Sequence, residues 1–150
     1  MKQRGDGVPE DTGSAPTGYW VQPEDAEIDS DALDFAPTFY EIAALPGFAP
    51  APGIVMNVMA GGRMMANWVR IEPEASVPTH AHPHEQIGLV LEGEIHMTIA
   101  NETRILVPGH AYTIPGNLPH AAVAGAQGCL VLDIFSPIRQ EYLDAVTRGE

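Results

Sequence analysis

The chain has 150 residues and a formal net charge of -13, from 20 acidic side chains against 7 lysines and arginines. Such a field repels polyanions, which argues against nucleic acid and anionic membrane surfaces as partners; a small anion held by one local arginine or a metal is still admissible. The length suits one domain with a buried core.

Residues 1–36 are rich in Gly, Pro, Asp and Glu and poor in large apolar side chains. That composition does not offset chain entropy by burial, so the stretch reads as a flexible acidic tail. Tyr19 and Trp20 interrupt it, and an aromatic pair in a tail reads as packing on the body or on a neighbouring subunit. No apolar stretch follows Met1, so no signal peptide is expected, and no run is long enough to span a bilayer. The expected location is cytoplasmic.

Residues 37–150 read differently, as short β-patterned runs separated by turn signals. Strands are predicted at 39–44, 54–59, 64–71, 87–91, 94–100, 103–107, 111–114, 121–124 and 129–135. Turns are predicted at Pro46-Gly47, Gly61-Gly62, Glu92-Gly93, Asn101-Glu102, Pro108-Gly109, Pro115-Gly116 and 125–128. Many short strands at close spacing indicate an all-β sandwich or barrel. One helical pattern remains at 139–146, with Tyr142, Leu143 and Val146 as its apolar stripe. The preceding Ser136-Pro137 either caps that helix or closes the strand before it. The single cysteine, Cys129, has no partner for an intramolecular disulfide and reads as a buried strand thiol. Met56, Met59, Met64, Met65 and Met97 read as core filling rather than a soft-metal site.

The chemistry concentrates in two places. His80, His82 and Gln86 fall in one short segment, and His120 follows the turn-rich 114–119. Histidines at i and i+2 on an extended chain point to one side, and donors from a neighbouring strand can close them around a divalent metal. The competing reading is a histidine-rich surface turn. Glu85 is an alternative to Gln86, but strand alternation puts it on the face opposite His82. His84 shares the parity of His82 and reads as a loop residue; His96 reads as solvent-side or pocket wall, and His110 as exposed. Trp68 and Arg70 share one strand face, lining either a pocket or a dimer surface. Asp133 in an apolar run needs a partner if buried, either a salt bridge to Arg139 or Arg70 or a catalytic use.

These residues resemble the motifs of small single-domain cupins, over residues 39–142. The first cupin motif appears as His80-x-His82, three residues, Gln86, six residues, Gly93, with Glu74 in place of the leading glycine and Gln86 in place of the metal-binding glutamate. The second appears as Gly109, five residues, Pro115, then Asn117 for glycine, His120, and Ala124 for asparagine. Within the cupins, the Gln and the run Asp133-Ile134-Phe135-Ser136-Pro137-Ile138-Arg139 resemble enzymes that open unsaturated uronates released by pectin and alginate lyases.

The resemblance implies a jelly-roll β-barrel with a short C-terminal helical segment, and a homodimer. It implies one divalent transition metal per chain (Ni, Zn, Fe, Co or Mn) on His80, His82, Gln86 and His120. It also implies a substrate pocket lined by Asp133, Phe135 and Arg139, taking a small anionic substrate. Three imidazoles and an amide leave the dication uncompensated, which reconciles an acidic protein with an acidic sugar. The expected reaction is linearisation of a 4,5-unsaturated uronate. The alternatives are an iron- or manganese-dependent dioxygenase-type cupin and a non-catalytic metal-containing binding module.

Overall fold

The computed structural model describes residues 23–27 and 37–150, which belong to two compact units, Met1–Ser30 and Asp31–Glu150. In the first, Pro23–Asp25 makes one 3₁₀ turn. The acidic tail expected over 1–36, with Tyr19 and Trp20, otherwise lies outside the described residues. Among the described residues no helix is long and apolar enough to cross a membrane.

The second unit is an antiparallel β-barrel. Its strands are β1 (Gly47–Ala51), β2 (Ile54–Ala60), β3 (Met65–Ile71), β4 (Ser76–His80), β5 (Glu85–Ile99), β6 (Glu102–Leu106), β7 (Ala111–Ile114) and β8 (His120–Ser136), followed by helix α1 (Gln140–Arg148). They pair in the order β1-β2-β3-β8-β5-β6, with β4 also on β8 and β7 also on β5. The two long strands therefore serve two layers. The first half of β5 lies between β7 and the second half of β8, while its second half lies between β6 and the first half of β8.

Each long strand changes its inward face partway along. In β5 the buried residues are the even-numbered Gln86, Gly88 and Val90, then the odd-numbered Ile95 and Met97. In β8 they are His120, Ala122 and Ala124, then Cys129, Val131 and Phe135. A strand alternates with period two, so this change requires one extra residue. The register shifts on both strands at this corner, between Val90 and Glu92 on β5 and between Ala124 and Cys129 on β8, where Gly93 and the facing Gly128 are both left-handed (φ 74° and 73°). A Cβ on Gly93 would overlap the Gly128 carbonyl, so these two backbones touch because one of them carries no side chain. The sequence reading placed turns at 92–93 and 125–128. Both are bends within continuous strands.

Two further expectations change, and one open alternative is resolved. The strand expected at 39–44 does not form: Ile42–Ala44 is a 3₁₀ turn, and Phe39, Tyr40 and Ile42 are exposed. The edge of β2 is taken instead by β1, in residues read as a turn and loop. The polar, proline-containing Ser76–His80, not read as a strand, is β4. Pro137 closes β8 behind a cis Ser136–Pro137 bond, and the N-cap of α1 is Arg139.

The core lies between the layers. Met65, Val69 and Ile71 form the inward row of β3, each almost fully buried, and each contributes about 1.5–3 kcal/mol by leaving water. Helix α1 lays Tyr142, Leu143, Ala145 and Val146 on this core, with Tyr142 5.2 Å from the Phe48 ring, and ends at left-handed Gly149.

Candidate metal centre

The ladder between β4 and β8 sets His80 directly opposite His120. His82 follows in the turn before β5, and the loop before β8 holds that turn in place. The Asn117 amide N–H donates to the His82 carbonyl at 2.7 Å, and Gly116 sits where a Cβ would overlap the Pro83 carbonyl. Asn117 (φ 65°) and Glu74 (φ 62°) adopt the left-handed backbone of the glycines they replace in the cupin motifs. Both departures from the motif are thus absorbed without changing the turn.

His80, His82 and His120 each bring one ring nitrogen to within 4.8 Å of the others. Their ring centroids are 4.3, 4.9 and 5.7 Å apart. Each Nδ1 is tied to a backbone carbonyl two residues away: His80 to Pro78 at 2.8 Å, His82 to His84 at 3.1 Å, and His120 to Leu118 at 2.8 Å. A carbonyl accepts only, so Nδ1 carries the proton and Nε2 is left as a lone-pair donor. The Gln86 Oε1 lies 3.1 Å from His82 Nε2, which sets two acceptors face to face. A cation between them resolves that contact. Burial is the main cause that holds His82 down to about 4, with Arg139 and His120 adding to it; His120 is lowered by burial as well. Both rings are therefore neutral at pH 7, the form that binds metals. The donor set fits a divalent cation.

The other histidines stand apart from this group. His84 is buried 5.5 Å from the His82 ring, yet it is outside the cluster, and its Nδ1 has no hydrogen-bond partner among the described residues. His96 lies on the face opposite Met97 and pairs with Glu94 at 2.7 Å, and His110 caps the turn before β7. Glu85 is exposed, on the face opposite Gln86.

A cavity of about 60 Å³ opens beside the cluster, lined in part by His80, Gln86, His120, Asp133, Phe135 and Arg139. All three residues expected on the substrate side therefore reach it. Phe135 is edge-on to His82 (5.5 Å) and to Tyr142 (5.9 Å). The Arg139 guanidinium lies over the Phe135 and Tyr142 rings and donates from Nε to Glu141 at 2.8 Å. Arg70 reaches Glu92 at the surface, so neither arginine makes the salt bridge considered for Asp133. Trp68 and Arg70 face outward, away from the cavity.

Asp133 has a different partner, Tyr112, whose hydroxyl donates to Oδ1 at 2.7 Å. The reach follows from the register. Gly88 on β5 is paired with Tyr112 on β7 and with Asp133 on β8, so the two side chains are two strands apart, about 10 Å at the backbone. The tyrosine ring crosses the gap because Gly88 has no Cβ, which would overlap the ring. Burial pushes the Asp133 carboxyl up to about 6, against hydrogen bonds from Tyr112 and Gln86 that pull it back. Tyr112 itself is raised well above the usual phenol value by burial and by Asp133. Burial likewise pushes the Cys129 thiol up to about 11, leaving it a protonated strand residue as expected.

Sequence reasoning missed Tyr112, Asn67 and Tyr142 as cavity residues. A glycine inside a strand pattern is a known sign of close approach, and Gly88 carried it.

A model of the cupin domain matches residues 67–135. The pectin degradation protein KdgF of Dickeya dadantii is 38% identical over 65 residues, 43% of this chain and 59% of that protein. H2HPP isomerase of Bacillus subtilis is 42% identical over 53 residues, 35% of this chain and 22% of that protein. The chain thus spans less than two thirds of either curated relative. The structure of KdgF from Halomonas sp. aligns with a TM-score of 0.67 at 32% identity, covering 71% of this chain and 98% of that one. An RmlC-like cupin from Shewanella frigidimarina aligns with the same TM-score at 25% identity, over 71% and 96%.

Proposed function

The chain belongs to the cupin family, and from that premise we propose that it is a metal-dependent enzyme that linearises a 4,5-unsaturated uronate. The observation that carries the reading is a cluster of three imidazoles and one amide beside the same cavity as a buried carboxyl, Asp133. Similarity to proteins named for pectin degradation supports the substrate class.

A divalent transition metal on His80, His82, Gln86 and His120, drawn from Ni, Zn, Fe, Co or Mn, supplies Lewis acidity and a double charge that no carboxylate ligand cancels. The protein's own groups do the rest. Arg139 binds the uronate carboxylate, since a planar guanidinium steadied over two rings matches it bidentately. Asp133 takes the proton of the anomeric hydroxyl as the ring C–O bond breaks and the aldehyde forms. It then returns a proton to the enol carbon, giving the keto form, so that the reaction is an isomerisation. A carboxyl pushed up to about 6 suits both transfers near neutral pH. Phe135 packs against the sugar and excludes water.

The test combines metal analysis with lyase-generated unsaturated uronate, followed through the ultraviolet absorbance of its ring double bond. A time-dependent loss is expected. No change with a fully metallated sample overturns the proposal, and oxygen uptake dependent on Fe(II) assigns the site to oxygen activation instead.

A further inference from the structure

One polar side chain in the cavity wall has no role in this scheme. Asn67 sits in the inward row of β3 between Met65 and Val69, where every other member is apolar. It is completely buried, and among the described residues neither its Oδ1 nor its Nδ2 has a hydrogen-bond partner. A buried amide left unpaired is a standing cost that an apolar residue of the same size avoids, so its presence calls for a group that satisfies it. Among the described residues nothing does so. Asn67 lines the cavity and is the ladder partner of Asp133, the neighbouring position on β8.

We propose that Asn67 is a substrate-binding residue that recognises a hydroxyl group on the carbon skeleton beside the atoms Asp133 serves. The chemistry is complementary. A carboxamide presents one acceptor and one donor side by side, and a sugar hydroxyl offers both in return. The carboxylate end of the ligand has a cation, Arg139, and the reacting hydroxyl has Asp133 and the metal ligands. Asn67 is the uncharged group available for the remaining hydroxyls. It selects polyhydroxylated acids over carboxylates of equal size that lack hydroxyls, because the latter leave the amide unpaired. The inference rests on the uronate reading for the ligand class, while its geometry stands on the cavity alone.

The experiment uses the full chain loaded with zinc. The Asn67 side-chain amide is followed in ¹H–¹⁵N spectra, its peak identified by its loss in Asn67→Leu or by sequential assignment of the wild type. Galacturonate, glycerol and cyclohexanecarboxylate are added in turn. The peak is expected to move with the two polyols and to stay in place with cyclohexanecarboxylate. In parallel, Asn67→Leu is expected to retain its metal and to raise KM for unsaturated uronate by about tenfold to a hundredfold, with partial rescue by Asn67→Ser. A peak that moves with none of the three, signifying buried water only, overturns the inference. Movement with galacturonate in a protein that leaves unsaturated uronate unchanged upholds the contact and discards the ring opening. Turnover with unaltered KM and kcat in Asn67→Leu keeps the ring opening and discards the contact.

Discussion

The two walls of the cavity are built on opposite plans. On the histidine wall each ligand ring is aimed by its own chain: three Nδ1 atoms are bonded to carbonyls only two residues away. On the carboxylate wall, Asp133 bonds to Tyr112 from two strands across, and Asn67 beside it has no hydrogen-bond partner among the described residues. The first wall is complete before any ligand arrives and needs only a cation. The second keeps polar atoms in reserve at a cost in stability. The difference teaches that the metal half is organised for permanence and the other half for exchange.

The largest effects should come from the histidine wall. His80→Ala or His120→Ala is expected to cut metal affinity by more than about a hundredfold and to abolish turnover, read by metal content after dialysis. A variant that keeps its metal would show that the wall does not act as one unit. Next, Asp133→Asn should lower kcat by roughly 10²- to 10⁴-fold while metal content stays at the wild-type level, which separates the two walls directly.

The same substitution should stabilise the metal-free protein. A folded-state value near 6, above the ordinary aspartate value of 3.8, makes the carboxyl harmless below about pH 4 and costly once pH rises through 6. Asp133→Asn should therefore raise stability at pH 8 by up to about 3 kcal/mol and leave it unchanged near pH 3.5, measured by denaturant titration. Equal stability at both values would mean that the carboxyl is not buried at a cost.

The smallest effect concerns Tyr112. Tyr112→Phe removes a donor that stabilises the carboxylate form, so the acidic limb of the pH–rate profile should move upward from about 6, with a loss of about tenfold at pH 6. Gly88→Ala, which pushes the ring aside, should behave in the same way. An unshifted limb in both variants would detach Tyr112 from Asp133.

The two walls also differed in how legible they were. Motif spacing located His80, His82, Gln86 and His120 because the wall is local, and short sequence separation records local geometry. Asp133, Phe135 and Arg139 were nominated through a run of seven residues that begins on the last strand, and all three line the cavity. Tyr112 and Asn67 were not singled out, since their placement in the cavity wall depends on which strand lies beside which, a property no short window contains. The barrel itself was readable from strand density, yet β4 was hidden by its polar residues and Pro78, and two bends passed for turns. In Gly93 and Gly128 the residue type was read correctly, but a left-handed glycine serves a bulge as well as a hairpin.

Those two glycines have a further consequence. Because β5 and β8 change face opposite each other, the corner acts as a phase reset shared by both strands. A one-residue length change at the corner can be taken up there, whereas the same change beside Gln86 would turn its whole row inside out. The reset also lets both halves face one cavity: Gln86, Asp133 and Phe135 come from one side of the corner, His80 and His120 from the other.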